Sequence, residues 1–260
     1  MPPLDLEAAA RAAEAAADAA RREILPRFRR VDARRKSDGS PVTEADLAAE
    51  RAVREVLGAF DADVGILGEE YGDDRRAEGP WWVVDPIDGT IGFARGLPLY
   101  GTLIALVVDA EPVLGLIDLP SLDERVVGWR GGGVRADGAP VRVSDARDLR
   151  RALVSHGDPF AFELFGAREA YLRMAADLGL LRGYTDAFGH AQVIQGRVDA
   201  MVDVSLKPWD VAATQCLVRE AGGRCVTLDR SAEGRGLGLV FGSPALVELL
   251  LAYFEDAPGG

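Results

Sequence analysis

The chain has 260 residues and a formal net charge of −12, from 30 Lys and Arg against 42 Asp and Glu; that is fewer residues than two average domains need, and enough negative charge to argue against non-specific binding to nucleic-acid phosphates. Hydrophobic residues at 48% and charged residues at 28% are ordinary globular proportions, and the two cysteines, Cys216 and Cys225, cannot frame a disulfide scaffold. No uncharged apolar run reaches the roughly 18 residues of a membrane helix, and the start, Met1-Pro2-Pro3-Leu4-Asp5, has neither the basic nor the apolar region of an export signal, so a cytoplasmic protein is expected.

The first 25 residues are Ala-rich with interspersed Arg, Glu and Asp and read as a helix ended by Pro26. A cluster of Arg21, Arg22, Arg27, Arg29, Arg30, Arg34, Arg35 and Lys36 follows its polar side; it reads as a solvated face and turn, with a polyanion site as the alternative. Lys36-Ser37-Asp38-Gly39-Ser40-Pro41 is a loop by composition. Thr43, with Asp46 three residues on, predicts a capped helix start, and Leu47, Val53, Val56 and Leu57 predict its buried stripe to about Phe60. Short apolar runs over 64–67, 81–84, 102–108, 113–117 and 125–129 read as strands. From Arg147 strands and helices alternate: strands near 152–155, 181–184, 200–204 and 239–241, and helices near 160–178, 187–195, 209–221 and 244–254. The pattern predicts an N-terminal α+β lobe over residues 1–146 joined to a C-terminal α/β lobe over 147–260, in layers of helix and sheet.

The chemistry concentrates in Trp81-Trp82-Val83-Val84-Asp85-Pro86-Ile87-Asp88-Gly89-Thr90. An apolar strand runs into two carboxylates, Pro86 ends the ladder and turns the chain, and Gly89 admits close backbone approach. Two ionised Asp side chains at one strand end repel unless a cation lies between them, and hard oxygen ligands suit Mg²⁺. A helix starting at Gly89-Thr90 would aim free N–H groups at the same place, which favours an anion. The alternative is a sharp turn with solvated aspartates. Gly68-Glu69-Glu70-Tyr71-Gly72 puts further carboxylates at a strand end, and Lys207-Pro208-Trp209-Asp210 puts Asp210 in the first turn of a helix, where Asp is also a common cap.

Together, Gly68-Glu69-Glu70, Asp85-Pro86-Ile87-Asp88-Gly89-Thr90 and Trp209-Asp210-Val211-Ala212-Ala213 resemble, in order and spacing, the three signature motifs of the inositol monophosphatase-like family of Mg²⁺-dependent, lithium-sensitive phosphomonoesterases. Ser40 to Asp46 and Glu220-Ala221-Gly222-Gly223 resemble its flanking segments. The resemblance implies an α+β fold, the layered αβαβα sandwich of the inositol monophosphatase/fructose-1,6-bisphosphatase type, with the active site between two lobes and a homodimer as the usual assembly. It implies two to three Mg²⁺ per site: Glu69, Asp85 and the Ile87 carbonyl on the first, Asp85, Asp88 and Asp210 on the second, and Glu69 helping to hold a third. Thr90 and Asp46 would orient the attacking water, the N–H groups of Gly89 and Thr90 would hold phosphate, and Lys36 either stands near the metals or is a surface lysine.

Arg182-Gly183-Tyr184-Thr185-Asp186-Ala187-Phe188-Gly189-His190 and Asp199-Ala200-Met201-Val202-Asp203 are similar to the histidinol-phosphatase branch, with Thr185 where Gly is common. Asp186 and Asp203, with Asp88 and Asp210, would then face an alcohol that carries an ammonium. Asp186 could equally cap the helix before Ala187, His190 reads as a packed side chain, and Arg182 faces either a phosphate or a dimer partner. Hydrolysis of L-histidinol phosphate is the expected activity, followed by inositol-1-phosphate or a broad range of sugar phosphates. A non-catalytic interaction protein on the same fold is the reading from another class, and the full set of acids argues against it.

Overall fold

The computed structural model describes residues 4–36 and 41–255. The expected loop at 37–40, including Ser40, and the first three residues lie outside the described part.

Helix α1 (Leu6–Ile24) buries a face made almost wholly of alanine. The paired strands β1 (Arg34–Arg35) and β2 (Pro41–Val42) precede α2 (Glu44–Phe60). The main sheet then forms from β3 (Gly65–Gly68), β4 (Gly72–Asp73), β5 (Trp81–Asp88), β6 (Gly101–Val108), β7 (Glu111–Leu119), β8 (Glu124–Trp129), β9 (Gly133–Ala136) and β10 (Ala139–Pro140), with the short helix α3 (Thr90–Ala94) after β5. Its order is β10-β9-β8-β7-β6-β5-β3-β4, antiparallel except where β3 runs parallel to β5. The rest is β11 (Leu153–His156), α4 (Pro159–Phe165), α5 (Arg168–Asp177), β12 (Leu180–Arg182), α6 (Asp186–Ile194), β13 (Ala200–Leu206), α7 (Pro208–Glu220), β14 (Arg224–Asp229), β15 (Leu237–Gly242) and α8 (Pro244–Glu255). The second sheet is ordered β12-β11-β13-β15-β14.

Period-two alternation sets the layers. On β5 and β6, Trp82, Val84, Ile104 and Leu106 pack with α1 and α2, whereas Val83, Leu103, Ala105 and Val107 pack with α6 and α7. On β13, Met201 joins that middle layer, and Val202 and Val204 face Phe162, Met174 and Leu246 of α4, α5 and α8. The result is the expected αβαβα sandwich. The middle helices are in van der Waals contact with the first sheet at Gly115, where any Cβ would overlap the Ala213 carbonyl.

Several expectations are corrected. The helix expected over 160–178 is two, α4 and α5, because the chain turns left-handed at Gly166 (φ 75°). The ladder does not stop at Pro86: β5 continues to Asp88 through an irregularity between Asp85 and Asp88, so the strand bulges where the turn was expected. Leu47 is 36% exposed, because the buried face of α2 is taken by Ala45, Asp46, Ala49, Glu50, Val53 and Leu57, two of them acids. Strands β9 and β14 carried too short or too mixed an apolar signal to be read in advance, whereas a helix does start at Gly89-Thr90, as α3. The basic cluster is partly spent inside the fold, where Arg21 reaches the buried Asp118 (2.7 Å), which also binds Arg125 (2.7 Å); Arg27 pairs with Glu23 (2.7 Å) on the surface.

Candidate active site

The irregularity in β5 and the left-handed Gly89 (φ 90°) after it turn the chain into α3. A Cβ at Gly89 would lie 3.0 Å from the Leu99 carbonyl, so this turn requires glycine on both conformational and steric grounds. The bulge aims Asp85, Asp88 and the Ile87 carbonyl into one cleft, where the first turn of α7 adds Asp210. One carboxylate oxygen from each of Asp85, Asp88 and Asp210 lies within 4.8 Å of the others. Asp85 is anchored by the Ile87 N–H (3.0 Å) and Asp210 by the Lys207 N–H (2.7 Å).

None of these three acids has an ion-pair partner among the described residues. Burial pushes the carboxyls of Asp85 and Asp88 well above the usual range, reinforced at Asp85 by Glu69 and Asp88 and at Asp88 by Asp186 and Asp210. Burial likewise pushes Asp210 up to about 7, partly opposed by its hydrogen bonds. Like charges gathered out of water in this way are stabilised by a cation, and an all-oxygen donor set fits a hard divalent ion. The residues present fit such an ion.

Glu69 lies in the same cleft but outside that triplet, with its Oε1 2.7 Å from Lys36 Nζ. The same ammonium is 2.7 Å from Glu70 Oε1. Burial works against the charge on Lys36, and its two hydrogen bonds outweigh that and raise its pKa. Lys36 is thus a side chain of the site.

Behind the cleft, Thr90 Oγ1 is 2.9 Å from the Ile87 carbonyl and 3.2 Å from Asp46 Oδ1. Asp46 is fully buried at the start of α2, and its Oδ2 accepts from the Thr43 N–H (2.8 Å) and hydroxyl (2.6 Å). The expected capping box therefore exists, and it fixes Asp46 with its second oxygen turned to Thr90.

The cleft encloses about 590 Å³. Asp186 lines it and does not act as the helix cap, a place taken by Thr185. Its backbone is left-handed (φ 57°), which is uncommon for a residue with a side chain and gathers at functional sites. The Thr185 hydroxyl donates to its carboxylate at 2.7 Å. Asp203 is not on the cleft wall: it is 5% exposed, its Oδ2 lies 3.2 Å from His190 Nε2, and His190 Nδ1 lies 2.7 Å from Thr214 Oγ1. Arg182 is exposed, donates to the Leu181 carbonyl and does not reach the cleft, so the structure gives no support for its facing a phosphate bound there.

The sequence reading missed Arg95, Asp158 and the side chain of Trp209 as cleft walls. Asp158-Pro159 carried the signal of a helix start, which it is, but nothing local placed that start beside Asp186. No helix among the described residues is long and apolar enough to cross a membrane.

The chain is similar to several known proteins. The family model described as "Inositol monophosphatase family" matches residues 4–257. The histidinol-phosphatase of Chlorobaculum parvum is 38% identical over 218 residues, covering 84% of each chain. That of Mycobacterium tuberculosis is 39% identical over 229 residues, 85% of this chain and 88% of the relative. The solved inositol monophosphatase from Zymomonas mobilis superposes with a TM-score of 0.83 at 32% identity, over 97% of this chain and 99% of that one.

Proposed function

The chain belongs to the inositol monophosphatase family and is a phosphoric monoester hydrolase, and from that premise we propose that it hydrolyses L-histidinol phosphate to L-histidinol and inorganic phosphate. The observation that carries the hydrolytic reading is the convergence of Asp85, Asp88 and Asp210 beside the Thr90–Asp46 pair. Glu69, Asp85, the Ile87 carbonyl, Asp88 and Asp210 would hold Mg²⁺, two or three per site. When bound, such ions acidify water and offset the charge on the phosphoryl group and the leaving oxygen.

The side chains supply position. The Ile87 carbonyl and Asp46, the latter pinned by Thr43, are the two acceptors for the single Thr90 hydroxyl hydrogen, which leaves the lone pairs of Thr90 Oγ1 to accept a hydrogen bond from the attacking water. The N–H groups of Gly89 and Thr90, at the start of α3, would hold the phosphate oxygens. Water attacks phosphorus, the ester P–O bond breaks, and the alcohol leaves with a proton.

Substrate choice rests on two supports. The histidinol-phosphatases named above match over most of their length. The end of the cleft bearing Asp158 and Asp186 is acidic, and burial followed by the Asp203 charge raises the Asp186 carboxyl. An ammonium or imidazolium on the alcohol complements those acids, whereas a neutral polyol does not. Inositol-1-phosphate is the second reading, favoured by the likeness to the Zymomonas mobilis enzyme. A homodimer, on the family resemblance, and a cytoplasmic location, on composition, complete the proposal. The test is kcat/KM for histidinol phosphate against inositol-1-phosphate in saturating Mg²⁺; a preference for the inositol ester overturns the histidinol assignment.

A further inference from the structure

Helix α2 carries Asp46, Glu50 and Arg54 at successive four-residue steps, so all three lie on one side of it. Asp46 is committed to Thr43 and Thr90. Glu50 has no part in the reaction described above, yet it is a fully buried carboxylate. Burial of a charge on this scale calls for several compensating donors, and Glu50 has them. Its Oε2 accepts the Glu70 N–H at 2.7 Å, and its Oε1 accepts the Tyr71 N–H at 3.2 Å and Arg54 Nε at 2.8 Å. Arg54 in turn donates from Nη2 to the Gly72 carbonyl at 2.7 Å and from Nη1 to Asp74 at 2.8 Å. The turn between β3 and β4 is therefore gripped at two of its N–H groups and one carbonyl by adjacent turns of one helix. Gly68 makes room for the grip, since a Cβ there would overlap Glu50 Oε1.

We propose that Glu50 is a positioning residue that sets the carboxylate of Glu69 for cation binding by holding the backbone of the Glu69-Glu70-Tyr71 turn. The inference rests on the reading above that Glu69 is a cation ligand. A turn tethered only at its strand ends would let Glu69 and Glu70 wander about Lys36; with both N–H groups fixed from α2, the two side chains meet Nζ at 2.7 Å each. The same helix also fixes Asp46 against Thr90, so one rigid element carries the supports of two separate parts of the site.

The test is Mn²⁺ binding to the substrate-free protein by calorimetry, for the wild type, Glu50→Gln, Glu69→Gln and the double variant, with thermal unfolding measured in parallel. Glu50→Gln keeps the shape but gives one N–H of the turn a donor to face. It is expected to weaken Mn²⁺ binding by about tenfold, within the range for supporting partners of ligands, and to add little in the Glu69→Gln background. An equal weakening in both backgrounds, or none in the wild-type background, overturns the inference while leaving Glu69 as a ligand. Unchanged binding in Glu69→Gln overturns the ligand assignment itself and this inference with it. If Glu50→Gln does not fold, Arg54→Lys, which keeps the charge but loses the fork reaching Glu50 and Gly72, is read in the same way with the same expected direction.

Discussion

Thr90 Oγ1 stands 3.2 Å from Asp46 Oδ1, although 44 residues separate them in the chain. The contact exists because β5, third from the β4 edge of the main sheet, delivers Thr90 to the N-terminus of α2, and because the capping box already holds the other oxygen of Asp46. Burial tends to raise the Asp46 carboxyl, and the two bonds from Thr43 oppose that. The hydroxyl thus has a fixed acceptor on its far side and can offer its oxygen toward the cleft.

Thr90→Ala is accordingly expected to lower kcat by far more than it changes KM, because the lost interaction orients the water in the transition state rather than binding the ester. Steady-state kinetics at saturating Mg²⁺ measure this, and an unchanged kcat would place water orientation elsewhere.

Asp85→Asn is expected to separate stability from activity. It removes the buried member of three crowded carboxylates, the other two being half-buried, so the cation-free protein should melt no lower than the wild type near pH 8. Activity should fall by more than the roughly 10- to 100-fold that loss of a supporting partner of a ligand costs. Differential scanning calorimetry in chelator, paired with turnover, tests both halves; near wild-type turnover would sink the ligand assignment.

The acids of the site also set a pH dependence of stability. Burial pushes Asp210 and Glu70 each up to about 7, and Asp85 and Asp88 are raised as well. A carboxyl raised in the folded state holds a proton that the unfolded chain has already lost between about pH 4 and pH 7. The cation-free protein should therefore lose stability as pH rises through that window. Asp73, held down to about 2 by Arg75, changes charge only below the window. Divalent ions bind the ionised acids, so the rise in Tm on adding Mg²⁺ should be larger at pH 8 than at pH 6. A cation-free Tm that climbs steadily from pH 5 to pH 8 contradicts the assignment of these shifts.

Specificity is tested by Asp186→Asn and Asp203→Asn on histidinol phosphate and on glycerol 2-phosphate. A charge-assisted hydrogen bond contributes roughly 1.5–3 kcal/mol, which is on the order of tenfold to a hundredfold in kcat/KM. Asp186→Asn should show that loss selectively on the cationic ester, because Asp186 lines the cleft. Asp203→Asn should show a smaller selective loss, because its carboxylate is engaged by His190 away from the cleft wall. Equal losses on both esters would mean that Asp186 shapes the pocket without reading charge.

Elements that local chemistry specifies were legible along the chain. Alanine density and Pro26 bound α1, the Thr43–Asp46 spacing starts α2, and the nearly unbroken apolar runs of β5 to β7 mark strands buried on both faces. Carboxylates at the ends of apolar runs marked Glu69, Asp85 and Asp88 as candidates, and the resemblance of the three motifs to the inositol monophosphatase family grouped them with Thr90 and Asp210 as one site. Features that depend on contacts between distant segments emerged with the folded arrangement. The bulge that carries β5 past Pro86, the burial of Asp203 against His190, the entry of Asp158 and Arg95 into the cleft and the reach of Glu50 to the Glu70 N–H are all of this kind. A carboxylate in a helix has the same local pattern whether it faces water or a turn twenty residues away. At Glu50 its role was settled by which backbone groups the packing of α2 left for it to satisfy.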